Sequence, residues 1–222
     1  MSFQSLSLRR VLALTLLSGI AVLLVAMPNL VVQNPSAQSC QSDCTGLPGL
    51  PPQTPAARSY DEFVNLAYQG AYGRSGTCLE RRTEYNRLQT AAGNGTLLAE
   101  AKRFVATLFM TQASYDAQDL TTYLQTTEYQ NRNPQDNSDR ASIESFVADL
   151  YRAFLQREPD LAGQCFWAND VCLEGRKKGI IAFVVCTEFG DLVNGLFAGT
   201  RPLTFCPRYT FLDPETCTCE SL

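Results

Sequence analysis

Apolar residues recur at helical spacing in two separate stretches of the chain. Phe63, Val64, Ala67, Tyr68, Ala71 and Tyr72 mark one face of an amphipathic helix, and Ser59 with Glu62 supplies a capping box at its start. Arg74-Ser75-Gly76 breaks that helix. Thr77 with Glu80 offers a second capping box, ahead of a helix that carries Leu79, Tyr85 and Leu88 and stops near Gly93-Asn94-Gly95. A third helix shows Phe104, Val105, Leu108 and Phe109, and a shorter fourth is predicted from about Asp116 through Leu120, Tyr123 and Leu124. The polar run from Asn131 to Asp139, with Pro134 inside it, reads as a linker.

The pattern then returns. Phe146, Val147, Leu150, Tyr151, Phe154 and Leu155 follow the first set position for position, at an offset of 83 from Phe63 to Phe146. Ser142 falls on Ser59, Arg157 on Arg74, and the predicted cap Asp160 on Thr77. An internal repeat is therefore expected. Its second helix runs from Leu161 to about Glu174, carries Cys165, Trp167 and Cys172, and ends at Gly175. Ile180, Ile181, Val184 and Val185 mirror Phe104, Val105, Leu108 and Phe109 at an offset of 76, so the second copy is about seven residues shorter there. Leu192 to Phe197 adds a last short helix. Beyond it, Arg208 to Leu212 has strand character and Asp213-Pro214-Glu215-Thr216 has turn chemistry, which predicts a small hairpin stapled by Cys206 to Cys217 or Cys219. The expected fold is all-α: a tandem pair of small helical modules, at 58–130 and 141–198, joined by a linker at 131–140 and followed by a disulfide-stapled tail at 199–222.

The N-terminus sets the compartment. Arg9-Arg10 precede Val11 to Met27, which carries no charge, so residues 1–39 read as a signal peptide or an N-terminal membrane anchor. Ala37-Gln38-Ser39 suits cleavage before Cys40, while Leu30 to Val32 extend the apolar run toward a membrane span, and both readings stay open. Residues 40–57, with Pro48, Pro51, Pro52 and Pro55, form a spacer. An exported chain with nine cysteines points to disulfides rather than thiols or metal. The candidates are Cys44, Cys78, Cys165, Cys172, Cys186, Cys206, Cys217 and Cys219, with Cys40 as a lipidation site or the odd thiol. Cys165 and Cys172 are seven residues apart on one predicted helix, about 10 Å, too far to bridge each other.

Composition removes several functions. The chain has no histidine, which excludes histidine triads, histidine bases and mixed Cys/His zinc sites. Taking Arg9 and Arg10 from 18 basic residues leaves 16 against 22 acids, a balance unsuited to a nucleic-acid backbone. No cofactor, metal or catalytic residue is assigned.

Phe146-Val147, Tyr151-Arg152, Phe154-Leu155, Arg157-Glu158-Pro159-Asp160, Gly163 and Phe166-Trp167 together resemble the bacterial domain of unknown function 4214. Thr187-Glu188-Phe189 falls where that family ends its third helix in a similar run. The resemblance covers about 142–196, with a degenerate copy at about 59–115 in which Arg74-Ser75-Gly76-Thr77 replaces the Arg-x-Pro-Asp run. It implies a small helical module of exported bacterial proteins, more distantly similar to the helical domain of phycobilisome linkers. It supplies no catalytic residue. Phe146, Tyr151, Arg157, Pro159, Asp160, Gly163 and Trp167 are its motif positions here. The tail spacing, Cys206 to Cys217-Thr218-Cys219, is similar to short cysteine-rich extracellular repeats and, faintly, to chitin-binding modules.

Each sharp motif has a plain reading. Arg157-Glu158-Pro159-Asp160 suits one helix ending and the next being capped better than it suits acid–base work. Trp167 suits a core position near Gly163 better than an exposed sugar platform. Cys217-Thr218-Cys219 suits bridging, Asn94-Gly95-Thr96 suits a helix stop followed by a cap at Thr96 better than glycosylation, and Lys177-Lys178 suits a solvated patch. The leading expectation is an exported, non-catalytic interaction or structural protein of the cell envelope or exterior, with a protein or cell-wall partner and membrane contact only through the N-terminal segment. A carbohydrate- or wall-binding protein comes second. A carboxylate hydrolase using Glu144, Asp149, Glu158 or Asp160 comes third.

Overall fold

The computed structural model describes residues 59–197, together with 210–212 and 219–221. The helices, in order, are α1 (Tyr60–Tyr72), α2 (Cys78–Gly93), α3 (Leu97–Phe109), α4 (Gln112–Asp116), α5 (Thr127–Arg132), α6 (Arg140–Leu150), α7 (Leu161–Glu174), α8 (Arg176–Val185) and α9 (Thr187–Phe197). A π-helical turn, Tyr151–Leu155, continues α6. Strands β1 (Thr210–Leu212) and β2 (Cys219–Ser221) pair antiparallel, with Leu212 opposite Cys219. The predicted leader, spacer and hairpin staple lie outside the described residues, as do Cys40, Cys44, Cys206 and Cys217. No helix among the described residues is long and apolar enough to cross a membrane.

The helix starts follow from capping. Ser59 Oγ accepts the Glu62 N–H at 3.1 Å, and Thr77 with Glu80 closes a reciprocal box at the start of α2. In the second copy the cap moves. Asp139 accepts the Ala141 and Ser142 N–H groups at 3.2 and 3.0 Å, so Ser142 lies inside α6 and not at its end as the repeat suggests. A carboxylate is the stronger acceptor for unpaired N–H groups, and Ser142 is left free to serve Arg176 instead, at 2.8 Å. The expected cap at Thr96 is also not formed. Its hydroxyl turns back to the Ala91 carbonyl at 3.4 Å.

Two further expectations fail. The helix predicted from Asp116 to Leu124 is absent: α4 ends at Asp116, and Leu120 and Leu124 are 48% and 59% exposed. Asp119 captures the Thr121 N–H and both threonine hydroxyls, at 2.7–2.8 Å, and so offers the backbone an alternative to helix. The stretch expected as a polar linker begins inside a helix, since Asn131 and Arg132 end α5. α5 reaches Arg132, and its Tyr129 is fully buried between Phe109 (4.8 Å) and Phe146 (6.2 Å).

Equivalent residues of the two copies occupy equivalent settings. Tyr68 and Tyr151 are 7% and 4% exposed, and each lies under an arginine, Arg74 at 5.4 Å and Arg157 at 4.8 Å. Gly73 and Gln156, also 83 apart, both turn left-handed, at φ 67° and 53°. Gln156 is the only non-glycine to do so among the described residues, and it ends the π-helical turn as Gly73 ends α1. A further equivalence comes from the contacts. Glu128 holds Arg74 and Glu188 holds Arg157, both at 2.6 Å, while Tyr129 faces Phe146 and Phe189 faces Phe63 (6.4 Å). Thr127-Glu128-Tyr129 of α5 therefore corresponds to Thr187-Glu188-Phe189 of α9. The offset falls from 76 to 60 because residues 111–126, which include α4, have no counterpart between α8 and α9.

Such reciprocal contacts are what a two-fold relation between the copies requires. Near its axis a residue meets its own equivalent, and Gly70 lies against Ala153. A Cβ on Gly70 would stand 2.4 Å from the Ala153 nitrogen. The copies consequently share one hydrophobic cluster, running from Phe63 to Val193.

Candidate functional site

The family motif forms a clasp where the second copy turns from its first helix to its second. The π-helical turn and the left-handed Gln156 aim Arg157 back over Tyr151. Its guanidinium binds Glu188 of α9 at 2.6 and 3.0 Å and comes within 3.9 Å of Asp160. Asp160 caps α7, its Oδ1 accepting the Gly163 N–H at 2.8 Å. Pro159 lies between Glu158 and this cap, where an extended residue preceding a helix is needed. Gly163 has no room for a side chain, since a Cβ would come within 2.4 Å of the Tyr151 hydroxyl. Burial pushes the Tyr151 phenol up to about 12, against the Arg157 charge. Trp167 is half-buried and packs on Phe183 at 5.3 Å and on Phe166 at 5.2 Å. Phe146 is fully buried beneath the Arg176 guanidinium, 4.8 Å from its ring.

The first copy builds the same clasp with different atoms. Arg74 binds Glu80 as well as Glu128, and this bond holds the Glu80 carboxyl down to about 2. That stabilisation is complete above the ordinary glutamate range and fades as pH falls from about 4.5 towards 2. Glu80→Gln should therefore flatten the wild-type stability loss in that window, as read by urea midpoints at stepped pH.

Each of the four acids considered for hydrolysis is engaged by a partner within the fold. Glu144 binds Arg140 at 2.7 Å, Glu158 binds Arg152 at 2.7 Å, and Asp160 is the cap. Asp149, 1% exposed, accepts from the Tyr129 hydroxyl and Arg132 at 3.1 Å and from Arg152 at 3.3 Å. Desolvation raises its pKa despite those arginines. A cleft of about 320 Å³ at the junction of the copies is lined by Leu66, Gln69, Gly70, Arg152, Arg157 and Glu158, so Glu158 alone of the four faces it. Among the described residues no group of three or more Cys, Asp or Glu is placed to hold a metal.

Polar groups that the sequence left unremarked are buried. Arg176, 1% exposed, donates to Asn133 Oδ1 at 3.1 Å, Ser142 Oγ at 2.8 Å and Asn137 Oδ1 at 3.2 Å. The solvated patch expected at Lys177-Lys178 is corrected at its first residue. Lys177 is 2% exposed and donates to the carbonyls of Ala117 (2.8 Å) and Asp119, which ties α8 to the loop after α4. Lys178 is half-buried beside Asp170 and Glu174. Backbone carbonyls carry no sequence signature, so nothing marked Lys177 out. Arg176→Ala should cost about 1–3 kcal/mol through the stranded acceptors, read as a lower urea midpoint, whereas Lys178→Ala should be near neutral.

Cys78, Cys165 and Cys172 are disulfide-bonded. Cys186 is a free thiol, which corrects its place among the bridge candidates. Its sulfur caps α9 by accepting the Phe189 N–H at 3.4 Å, as Thr126 Oγ1 accepts the Tyr129 N–H at 3.3 Å in the first copy. Burial raises its pKa, so it is protonated at neutral pH. Among the described residues Cys186 is the one free cysteine.

The family model described as domain of unknown function (DUF4214) matches residues 121–193. The match begins ahead of the 142 boundary expected from sequence and takes in α5, whose Tyr129 and Arg132 bind Asp149 of the second copy. No curated protein and no solved structure matches the chain. Residues 121–193 of the chain thus match the DUF4214 family model, with the Tyr151–Arg157–Asp160–Gly163 clasp as their local geometry.

Proposed function

We propose that the chain is an exported, non-catalytic interaction or structural protein of the cell envelope or exterior, with a protein partner. One observation carries the non-catalytic part: the charged motif residues are engaged in holding helices together. Arg157 bridges Tyr151 and Glu188, Asp160 caps α7, and Asp149 is enclosed by Tyr129, Arg132 and Arg152. The uncharged run Val11 to Met27 behind Arg9-Arg10 and the bonded cysteines support export. Apolar residues standing out on the helices, Leu79 at 76% and Val185 at 66% exposed, support contact with protein.

Intact mass of the protein recovered from a producing cell, before and after reduction, tests export. A mass that lacks the leader or keeps it in the membrane fraction, with bridges that reduce, is expected. A full-length cytoplasmic protein with free thiols would overturn the reading. Co-sedimentation with insoluble chitin and peptidoglycan tests the partner class, and the protein is expected to stay in solution. Recovery in either pellet would establish the carbohydrate-binding alternative.

A further inference from the structure

The repeat shows which face of α7 ought to meet solvent. At an offset of 83, Cys165 and Cys172 fall on Arg82 and Gln89 of α2, and Phe166 and Leu173 on Thr83 and Thr90. Arg82, Gln89 and Thr90 are exposed, as an outward helix face should be. In the second copy the same positions behave differently. Cys165 and Cys172 are only 7% and 8% exposed, and both are disulfide-bonded, while Phe166 and Leu173 beside them are 60% and 56% exposed. Seven residues on a helix separate the two sulfurs by about 10 Å, so they do not bond each other. Cys186 is free, and Cys78 can take at most one of them. At least one bond must therefore leave α7 for Cys40, Cys44, Cys206, Cys217 or Cys219.

We infer that the outer face of α7 is an intramolecular docking surface for the C-terminal tail, residues 199–222, which is linked there through Cys165 and Cys172. This rests on the export reading. The tail has the complementary composition, with Leu203, Phe205, Tyr209, Phe211 and Leu212 available to the Phe166–Leu173 stripe. The 40–57 spacer offers four prolines with Leu47 and Leu50 as its only large apolar residues. Reach agrees, since the nine residues from Phe197 to Cys206 extend up to about 30 Å. Closing the loop from Cys172 to Cys206 also costs less entropy than closing the much longer one from Cys44 to Cys165. Each link forms as two thiols lose two protons and two electrons to a disulfide-donating oxidoreductase of the exported compartment, which is reduced to its dithiol.

Disulfide mapping of the exported, unreduced protein by proteolysis and mass spectrometry tests this. The peptides carrying Cys165 and Cys172 are expected to be linked to peptides carrying two of Cys206, Cys217 and Cys219. Linkage of both to Cys40 and Cys44, or a tail closed only on itself, would overturn the proposal and leave export standing. Uniformly free thiols would overturn both. A second arm reads the apolar contact: Phe166→Asp should speed tryptic cleavage after Arg208 several-fold with the links intact, and an unchanged rate would count against docking.

Discussion

Gly70→Ala is expected to destabilise the protein by about 1–3 kcal/mol, although alanine ordinarily gains up to ~1 kcal/mol over glycine inside a helix. The reversal comes from the neighbour. The added Cβ meets the nitrogen and Cα of Ala153 and the carbonyl carbon of Arg152, all within 2.6 Å, and these are backbone atoms of a turn that cannot step aside. Separating the copies to make room would loosen the one cluster they share. Gly190→Ala on α9 is the control, since a Cβ there meets nothing within 4 Å, and it should be neutral or mildly stabilising. Urea denaturation of both variants checks the pair. Equal midpoints for the two would mean that Gly70 is not a close-approach site.

Phe154→Ala should cost more, about 3–5 kcal/mol. Its ring stacks on Phe109 of the first copy at 6.0 Å and meets Phe183 at 6.0 Å and Phe189 at 5.2 Å. The equivalent position in the first copy is Ala71, also fully buried, so a single large ring near the axis fills space for both halves. Truncation leaves a cavity walled by aromatic rings from α3, α8 and α9, and little can collapse into it. Thermal unfolding followed by circular dichroism should show a fall in Tm well beyond that of Leu79→Ala, which removes an exposed side chain. A similar fall in both variants would contradict the packing described.

What the sequence revealed, and what it hid, divides along physical lines. Helical periodicity and the spacing of 83 are local patterns, so Phe63 with Phe146 and Tyr68 with Tyr151 could be paired on sight. Arg157 and Asp160 were legible as a helix end and a cap because chain geometry restricts residues there. The relation between the copies was not legible, because it depends on Gly70 meeting Ala153, a contact with no local signature. Nor was the correspondence of α5 with α9, since the 111–126 excursion shifts its offset to 60 and the caps differ, Thr126 in one and Cys186 in the other. Drift at matched positions hid the rest. Asp149 stands where the first copy has Leu66, and Arg132 of α5 where α9 has Leu192. A buried acid with its arginine thus holds places that are apolar in the other half, and reads in isolation as a solvated helix face.

Unfolding of Leu88→Ala, followed through Trp167 fluorescence, tests the shared core most directly. Leu88 is fully buried in α2 of the first copy, and the only tryptophan reports from α7 of the second. If one core holds both halves, the Trp167 midpoint falls together with the helical signal, by the equivalent of about 2–5 kcal/mol. A Trp167 transition that stays at its wild-type midpoint while half the helical signal melts early would show two independent modules and contradict the account.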